Sequence, residues 1–215
     1  MHGEQSRSVR QRANVACPLL ALLAVAASAG VALVAEDLTA GGRFVVWDGE
    51  VRARFPLPSP SALTTFFRGV TWAGNAFVLV ALVTVAAIWF LRRREPARAG
   101  LVVVGVFAAE AIALTLKVSL HDLHPNSYAF PSGHTAGASA TYGILFYFAA
   151  RSRALSVRVV AVLAFLALVT LVGFSRLYLH VHYLSDVLAG TALGVAVAAV
   201  CLCTYELRHT RHAAA

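Results

Sequence analysis

Apolar residues run through this chain in long blocks, and short polar clusters separate them. Six blocks approach the length a helix needs to cross a bilayer, about 20 residues. They lie near 15–35, 70–91, 99–119, 133–150, 157–175 and 184–205. The pattern predicts an all-α fold: a polytopic membrane protein built as a bundle of six transmembrane helices. The expected divisions are a tail at 1–14, a membrane domain at 15–207 and a second tail at 208–215. The longest stretch without a span, 36–69, carries Trp47, Phe55, Phe66 and Phe67 among three prolines. Such aromatic residues favour the membrane interface, so the segment is expected near the headgroups of the outer face, partly helical. Ala27-Ser28-Ala29 has the form of a signal cleavage site, but the apolar run continues through Val34, and a retained first span is expected.

Composition agrees with the pattern. Charged residues are 13% of the chain, against about 25% in a soluble domain, and the mean hydropathy is +0.73. The formal net charge is +8. Nucleic-acid binding would need a basic face on a folded domain, whereas here the arginines sit in clusters between apolar blocks, so no nucleic-acid partner is expected. Twelve of the eighteen basic residues fall in four clusters, at 7–12, 92–98, 151–158 and 208–211. If the spans alternate, all four clusters lie on one side, which the positive-inside rule makes cytoplasmic. Both termini are then cytoplasmic, in a plasma (inner) membrane. Cys17, Cys201 and Cys203 lie in or beside apolar runs, and an odd count there argues against a disulfide framework. Small residues recur at helical spacing: Gly133, Gly137 and Thr141 in the fourth block, and Gly190 and Gly194 in the sixth. Such rows let membrane helices approach closely, and these two blocks are expected to meet through them.

Candidate chemistry concentrates in three stretches: Lys117 with His124-Pro125, then Pro131-Ser132-Gly133-His134, then Ser175-Arg176 with His182 and Asp186. Lys117 is the only lysine; the other seventeen basic residues are arginine. Ser132 and Gly133 stand where the fourth helix begins, and the free N–H groups of a helix start bind anions. Arginine can donate two parallel hydrogen bonds to a phosphate, and lysine acts as a point charge. His182 and Asp186 are four residues apart and so neighbours on one helix face. A carboxylate beside an imidazole fixes its tautomer and strengthens it as base or nucleophile. Arg176 alone would read as an interfacial anchor, and His182 with Asp186 as a helix-start pair, but neither reading explains the three stretches together. Glu110 lies inside a span, seven residues before Lys117, where an acid is a functional candidate by default. His180 is expected to face away from His182, and His121 with Asp122 to line the mouth of the site. Neither HExxH nor a comparable ligand spacing is present, and no metal is expected.

These stretches resemble the membrane branch of the type 2 phosphatidic acid phosphatase (PAP2) superfamily, which shares its site with vanadium haloperoxidases. That family reads K-x6-R-P, then P-S-G-H, then S-R-x5-H-x3-D. Here PSGH stands at 131–134, SRLYLHVHYLSD at 175–186 and KVSLHDLHP at 117–125, with His124 where the family has arginine. The resemblance implies that His182 is a nucleophile forming a phosphohistidine, that Asp186 orients it and that His134 protonates the leaving oxygen. It implies that Lys117, His124, Ser132, Gly133 and Arg176 hold the phosphate, without metal or cofactor. The implied partners are the lipid bilayer and a lipid mono- or diphosphate of prenyl diphosphate, phosphatidate or phosphatidylglycerophosphate type, met on the extracytoplasmic side. A phosphotransferase using the same site is the alternative activity. A weakly active or non-catalytic phospholipid-binding homologue is the alternative that His124 raises. Arg52, Arg54 and Arg68 of the outer segment are candidates to fill the place of the missing arginine. The oligomeric state is left open.

Overall fold

The computed structural model describes residues 2–121, 129–151 and 154–212, and within them the side chains from Val15 onward except those of residues 209, 211 and 212. Among the described residues all regular structure is helical. The helices are α1 (His2–Thr39), α2 (Arg43–Arg54), α3 (Ala62–Thr71), a 3₁₀ turn (Trp72–Gly74), α4 (Ala76–Arg92), α5 (Pro96–Ser119), α6 (Gly133–Ala150), α7 (Leu155–Tyr178) and α8 (Leu184–His212).

Among the described residues four segments are long and apolar enough to cross a membrane: Val15–Thr39, Pro96–Ser119, Leu155–Tyr178 and Leu184–Arg208. The pair Ala62–Gly74 and Ala76–Arg92, bent by 49°, makes a fifth if taken as one broken span. The expected fourth span, α6, does not pass on composition. It has 18 residues, and nine of them, including Thr135, Ser139, Thr141 and Tyr142, are buried. The physical reason is its position. α6 packs on α5, α7 and α8 at once, so its surroundings are protein rather than lipid, and small and hydroxyl residues serve it better than leucine. α8 is the other central helix: 56% of its apolar window is buried, against 17% for α1 and for α7. α1 lies along α8, and its Val34 and Leu38 join Phe130 and Ala189 in the core. The outer helices turn large side chains such as Phe77, Leu114 and Leu163 outward, as a lipid-facing belt requires.

The segment between the first two expected spans is mostly helical, and its joints follow from sequence. α1 ends at Gly41, whose φ of +66° suits a residue without Cβ. The Asp37 carboxylate then accepts the backbone N–H groups of Arg43 and Phe44 at 3.1 and 2.7 Å, capping α2 from the end of α1. A Cβ on Gly42 would fall 2.2 Å from Asp37 Oδ1, so glycine is required there. Pro56, Pro58 and Pro60 hold the chain extended until Ser61, whose Oγ accepts from Thr64 N and caps α3. Asn75 caps α4 in the same way.

Two expectations need correction. Trp47 and Phe66 are exposed at 44% and 54%, as interfacial aromatics should be, but Phe67 is buried. Phe67 and Phe55 instead pack against Phe174 and Tyr178 of α7, because the amphipathic α3 turns its apolar face to the bundle. The two rows of small residues do not face each other. The α8 row meets α6: a Cβ on Gly190 would lie 2.3 Å from Ser132 O, and one on Gly194 2.2 Å from Ala136 O. The α6 row meets α5: a Cβ on Gly137 would lie 2.3 Å from a Glu110 carboxylate oxygen, and one on Gly133 3.4 Å from the other. Gly137 therefore makes room for the Glu110 and Leu79 side chains, while Gly133 is only in ordinary contact with Glu110.

Candidate active site

Four helix ends converge at one end of the bundle. Lys117 stands in the last turn of α5, Ser132 and His134 at the start of α6, and Arg176 in the last turn of α7. His182 lies in the turn before α8, and Asp186 in the first turn of α8. Main-chain hydrogen bonds fix the assembly. Ser132 N donates to Asp186 O at 3.0 Å. The Thr135 hydroxyl donates to Ser132 O at 3.1 Å and to Val187 O at 3.3 Å. These bonds lock the α6 start to the first turn of α8, and the glycine contact at Gly190 lets the two backbones come that close.

The imidazole and carboxylate are paired as their spacing suggested. His182 Nδ1 donates to Asp186 Oδ2 at 3.2 Å, and the same oxygen accepts Tyr183 N at 2.9 Å. With Nδ1 occupied, Nε2 is the nitrogen with a lone pair to offer. The His182 side chain is 8% exposed and Asp186 fully buried. Burial lowers the His182 pKa below the ordinary imidazole value, the Asp186 hydrogen bond and charge oppose that shift, and Arg176 and Lys117 reinforce it. The imidazole is thus neutral near pH 7, the form that can attack.

Positive charge surrounds the pair. Lys117 lies within electrostatic range of Asp186, Glu110 and Arg176, and His134 within range of Arg176, His182 and Lys117. The Arg176 guanidinium is held by one donated bond, Nη1 to Thr71 Oγ1 at 2.8 Å, while its buried Nε has no hydrogen-bond partner among the described residues. Ser132 Oγ is likewise buried without a partner, and it does not cap α6. Buried donors are normally satisfied. Two orphaned donors beside a cationic cluster have the chemistry of an oxyanion receptor.

Of the other candidates, His124 and Asp122 lie outside the described residues. His121 is exposed, with Nδ1 3.2 Å from Val118 O. His180 Nε2 donates to Phe55 O at 3.1 Å, tying the α7–α8 turn to the residue that follows α2. Among the outer arginines, Arg54 and Arg68 are exposed, whereas Arg52 lines a small cleft with Asp48, His182 and Tyr183. Its guanidinium lies 4.9 Å from the Tyr183 ring centroid, and its Nη1 is buried without a partner among the described residues.

Sequence reasoning missed Asp48. This acid on α2 is 3% exposed. It accepts Ser185 N at 2.9 Å and Ser185 Oγ at 2.6 Å, so it clamps the outer helix onto the residue before Asp186. The only local hint was an acid set among Val45, Val46 and Trp47, and its partner is 137 positions away.

Comparison with known proteins agrees with this architecture. The pattern of the PAP2 superfamily matches residues 115–209. Phosphatidylglycerophosphatase B of Bacillus subtilis is 30% identical over 146 residues, covering 62% of this chain and 70% of that protein. An uncharacterized 22.5 kDa protein in the cps region of Klebsiella pneumoniae is 37% identical over 71 residues, 33% of this chain and 34% of that protein. The crystal structure of a transmembrane PAP2 type phosphatidylglycerolphosphate phosphatase from Bacillus subtilis superposes with a TM-score of 0.71 at 22% identity, covering 83% of this chain and 94% of that one. Aquifex aeolicus LpxE gives 0.54 at 20% identity, covering 74% and 93%. The chain belongs to the PAP2 superfamily: it is a multi-pass membrane protein and a phosphatase of that type.

Proposed function

We propose that this protein hydrolyses a lipid mono- or diphosphate through a phosphohistidine on His182. The observation that carries the reading is the 3.2 Å contact of His182 Nδ1 with Asp186, set beside the cations and orphaned donors of Lys117, Arg176 and Ser132. Lys117, Arg176, Ser132, the N–H groups at Gly133 and, by its spacing, His124 hold the phosphate oxygens. His182 Nε2 attacks phosphorus in line while the bond to the lipid oxygen breaks, and His134 gives that oxygen its proton. His134 then takes a proton from water, the water oxygen bonds to phosphorus, the P–N bond breaks, and inorganic phosphate leaves. Phosphoryl transfer of this kind is mostly positioning and charge stabilisation, which four helix ends fixed by main-chain bonds supply.

Location favours a lipid substrate. The site sits at the ends of apolar helices, so a phosphate at headgroup depth reaches it while the tails stay in the bilayer. A phosphatidylglycerophosphate-type headgroup leads the candidates because the 30%-identical relative carries that name; prenyl diphosphates and phosphatidates follow. In this reading α6 is also a crossing, the fourth in chain order, which brings the total to six, and its neighbours shield it from lipid. Both termini face the cytoplasm, and the site opens on the outer leaflet of the plasma membrane.

Phosphate release from a panel of these lipids in detergent, with EDTA present, tests the proposal. Release with at least one lipid is expected, together with an acid-labile phosphoenzyme that His182→Ala abolishes. A phosphoenzyme that survives in His182→Ala would refute the mechanism. Transfer to an added alcohol acceptor in place of release would reassign the reaction to phosphotransfer.

A further inference from the structure

Glu110 is an acid that the proposed mechanism leaves without a task. It stands on α5 nine residues before the helix ends at Ser119, about 14 Å inside the span at 1.5 Å per residue. Ionisable groups at such depth are costly, and they persist by facing the protein interior and pairing with one another. The Glu110 side chain meets both conditions.

It points between α4 and α6. A Cβ on Gly137 would fall 2.3 Å from Glu110 Oε1 and 2.8 Å from Leu79 Cδ1, so a side chain there would push the carboxylate aside. Oε2 lies on the Gly133 side, 3.4 Å from the place of a Cβ on that residue. The carboxylate therefore sits against the first turns of α6, the helix whose start, at Ser132 and Gly133, faces the candidate site. Lys117 follows seven residues later on α5, two turns on and on the same face. Lys117 and Glu110 act on each other electrostatically, and Lys117 also lies within range of Asp186 and Arg176. Two cations, Lys117 and Arg176, are thus set against two acids, Asp186 and Glu110. Asp186 is tied to His182 through a hydrogen bond, whereas Glu110 acts on the cluster through Lys117. With all four groups ionised the cluster is neutral, and without the Glu110 charge it is cationic.

We propose that Glu110 is a positioning residue that acts through Lys117: its fixed negative charge draws the ammonium toward the protein interior and loosens the hold of the site on phosphate, so that the inorganic phosphate product leaves. The inference rests on the phosphatase reading above, in which Lys117 binds the phosphate. A site built for the transition state gains nothing from gripping its product, and product release limits the turnover of many enzymes.

Inorganic phosphate is the probe. The rise of Tm with phosphate concentration in the detergent-purified full chain gives its Kd without any turnover. Glu110→Gln and Glu110→Ala, which remove the charge, should each tighten that Kd about tenfold, the scale of a unit charge acting over about 10 Å at an effective dielectric near 20. A merely structural role would weaken binding instead. Glu110→Asp, which keeps the charge, should stay within about threefold of the unmodified chain. A Kd unchanged or weakened in both neutral variants would overturn the inference, as would a Glu110→Asp variant that tightens with them. If the unmodified chain still releases phosphate from lipid, either result overturns this inference alone. A chain that neither binds inorganic phosphate nor releases it from lipid would overturn the proposed function as well.

Discussion

Replacing Asp186 by asparagine separates charge from geometry at the proposed nucleophile, His182. Asp186 Oδ2 accepts both His182 Nδ1 and Tyr183 N, at 3.2 and 2.9 Å. An asparagine with its carbonyl oxygen at that point keeps both hydrogen bonds and removes only the negative charge. As His182 attacks, its ring becomes cationic. A unit charge pair 3.2 Å apart contributes about 5 kcal/mol at an effective dielectric near 20. That is a ceiling of roughly 10⁴ in rate, and the Asp→Asn change in a serine-protease triad costs about the same. Asp186→Asn is therefore expected to lower kcat by about 10² to 10⁴. The pH profile adds a sign. Burial holds the His182 pKa down and Asp186 pulls it up, so losing the carboxylate charge should drive the pKa lower. The acid limb of kcat/KM, where His182 becomes protonated and unable to attack, should move to lower pH in Asp186→Asn. Measuring both proteins on one substrate cancels the ionisation of the substrate phosphate. A loss under tenfold, or an acid limb displaced upward, would refute the reasoning.

His134→Ala should slow hydrolysis of an alkyl phosphate by roughly 10²–10⁴, the usual worth of a general acid, and far less with a nitrophenolate leaving group; equal losses on both would contradict the acid role. Ser132→Ala should lower kcat/KM about tenfold with no change in thermal unfolding, because the hydroxyl has no partner among the described residues; a drop in stability would instead mark it as structural. Asp48→Ala should destabilise the fold by about 1–3 kcal/mol for each Ser185 donor left unsatisfied, and in a cycle with Ser185→Ala the two losses should be strongly non-additive in thermal unfolding. KM should rise above pH 7 as a histidine at position 124, with an ordinary pKa near 6.5, loses its charge, and His124→Arg should abolish the rise; a flat KM from pH 6 to 8.5 would dismiss a charged His124 at the phosphate.

The convergence of the candidate site residues at one end was legible because such residues are costly in this setting. A lone lysine, two histidines and an acid at the ends of apolar blocks have few structural reasons to be there, and their spacing within each stretch put Lys117, Ser132, His134, Arg176, His182 and Asp186 at one end of the bundle. What stayed hidden depends on the partner across the interface. Asp48 reads as an ordinary acid until Ser185 is placed beside it. Gly137 signals close approach without saying to what, and the Glu110 and Leu79 side chains explain it. Hydropathy identified α6 by its flanks, yet understated how completely protein encloses it.

That enclosure bears on how the molecule is made. A helix enters the bilayer from the translocon when its own residues favour hydrocarbon, and each polar group near the middle of a span counts against it. α6 carries Thr135, Ser139, Thr141 and Tyr142 along its length and His134 at its start, so by itself it has little drive to insert. If it is the proposed further crossing, its stability in the membrane comes from α5, made before it, and from α7 and α8, made after. A chain truncated just past residue 151 should leave α6 outside the bilayer, and one that extends through α8 should draw it in. In the proposed arrangement, assembly of the candidate site waits for the last helix: the segment that supplies Asp186 also completes the shelter around α6.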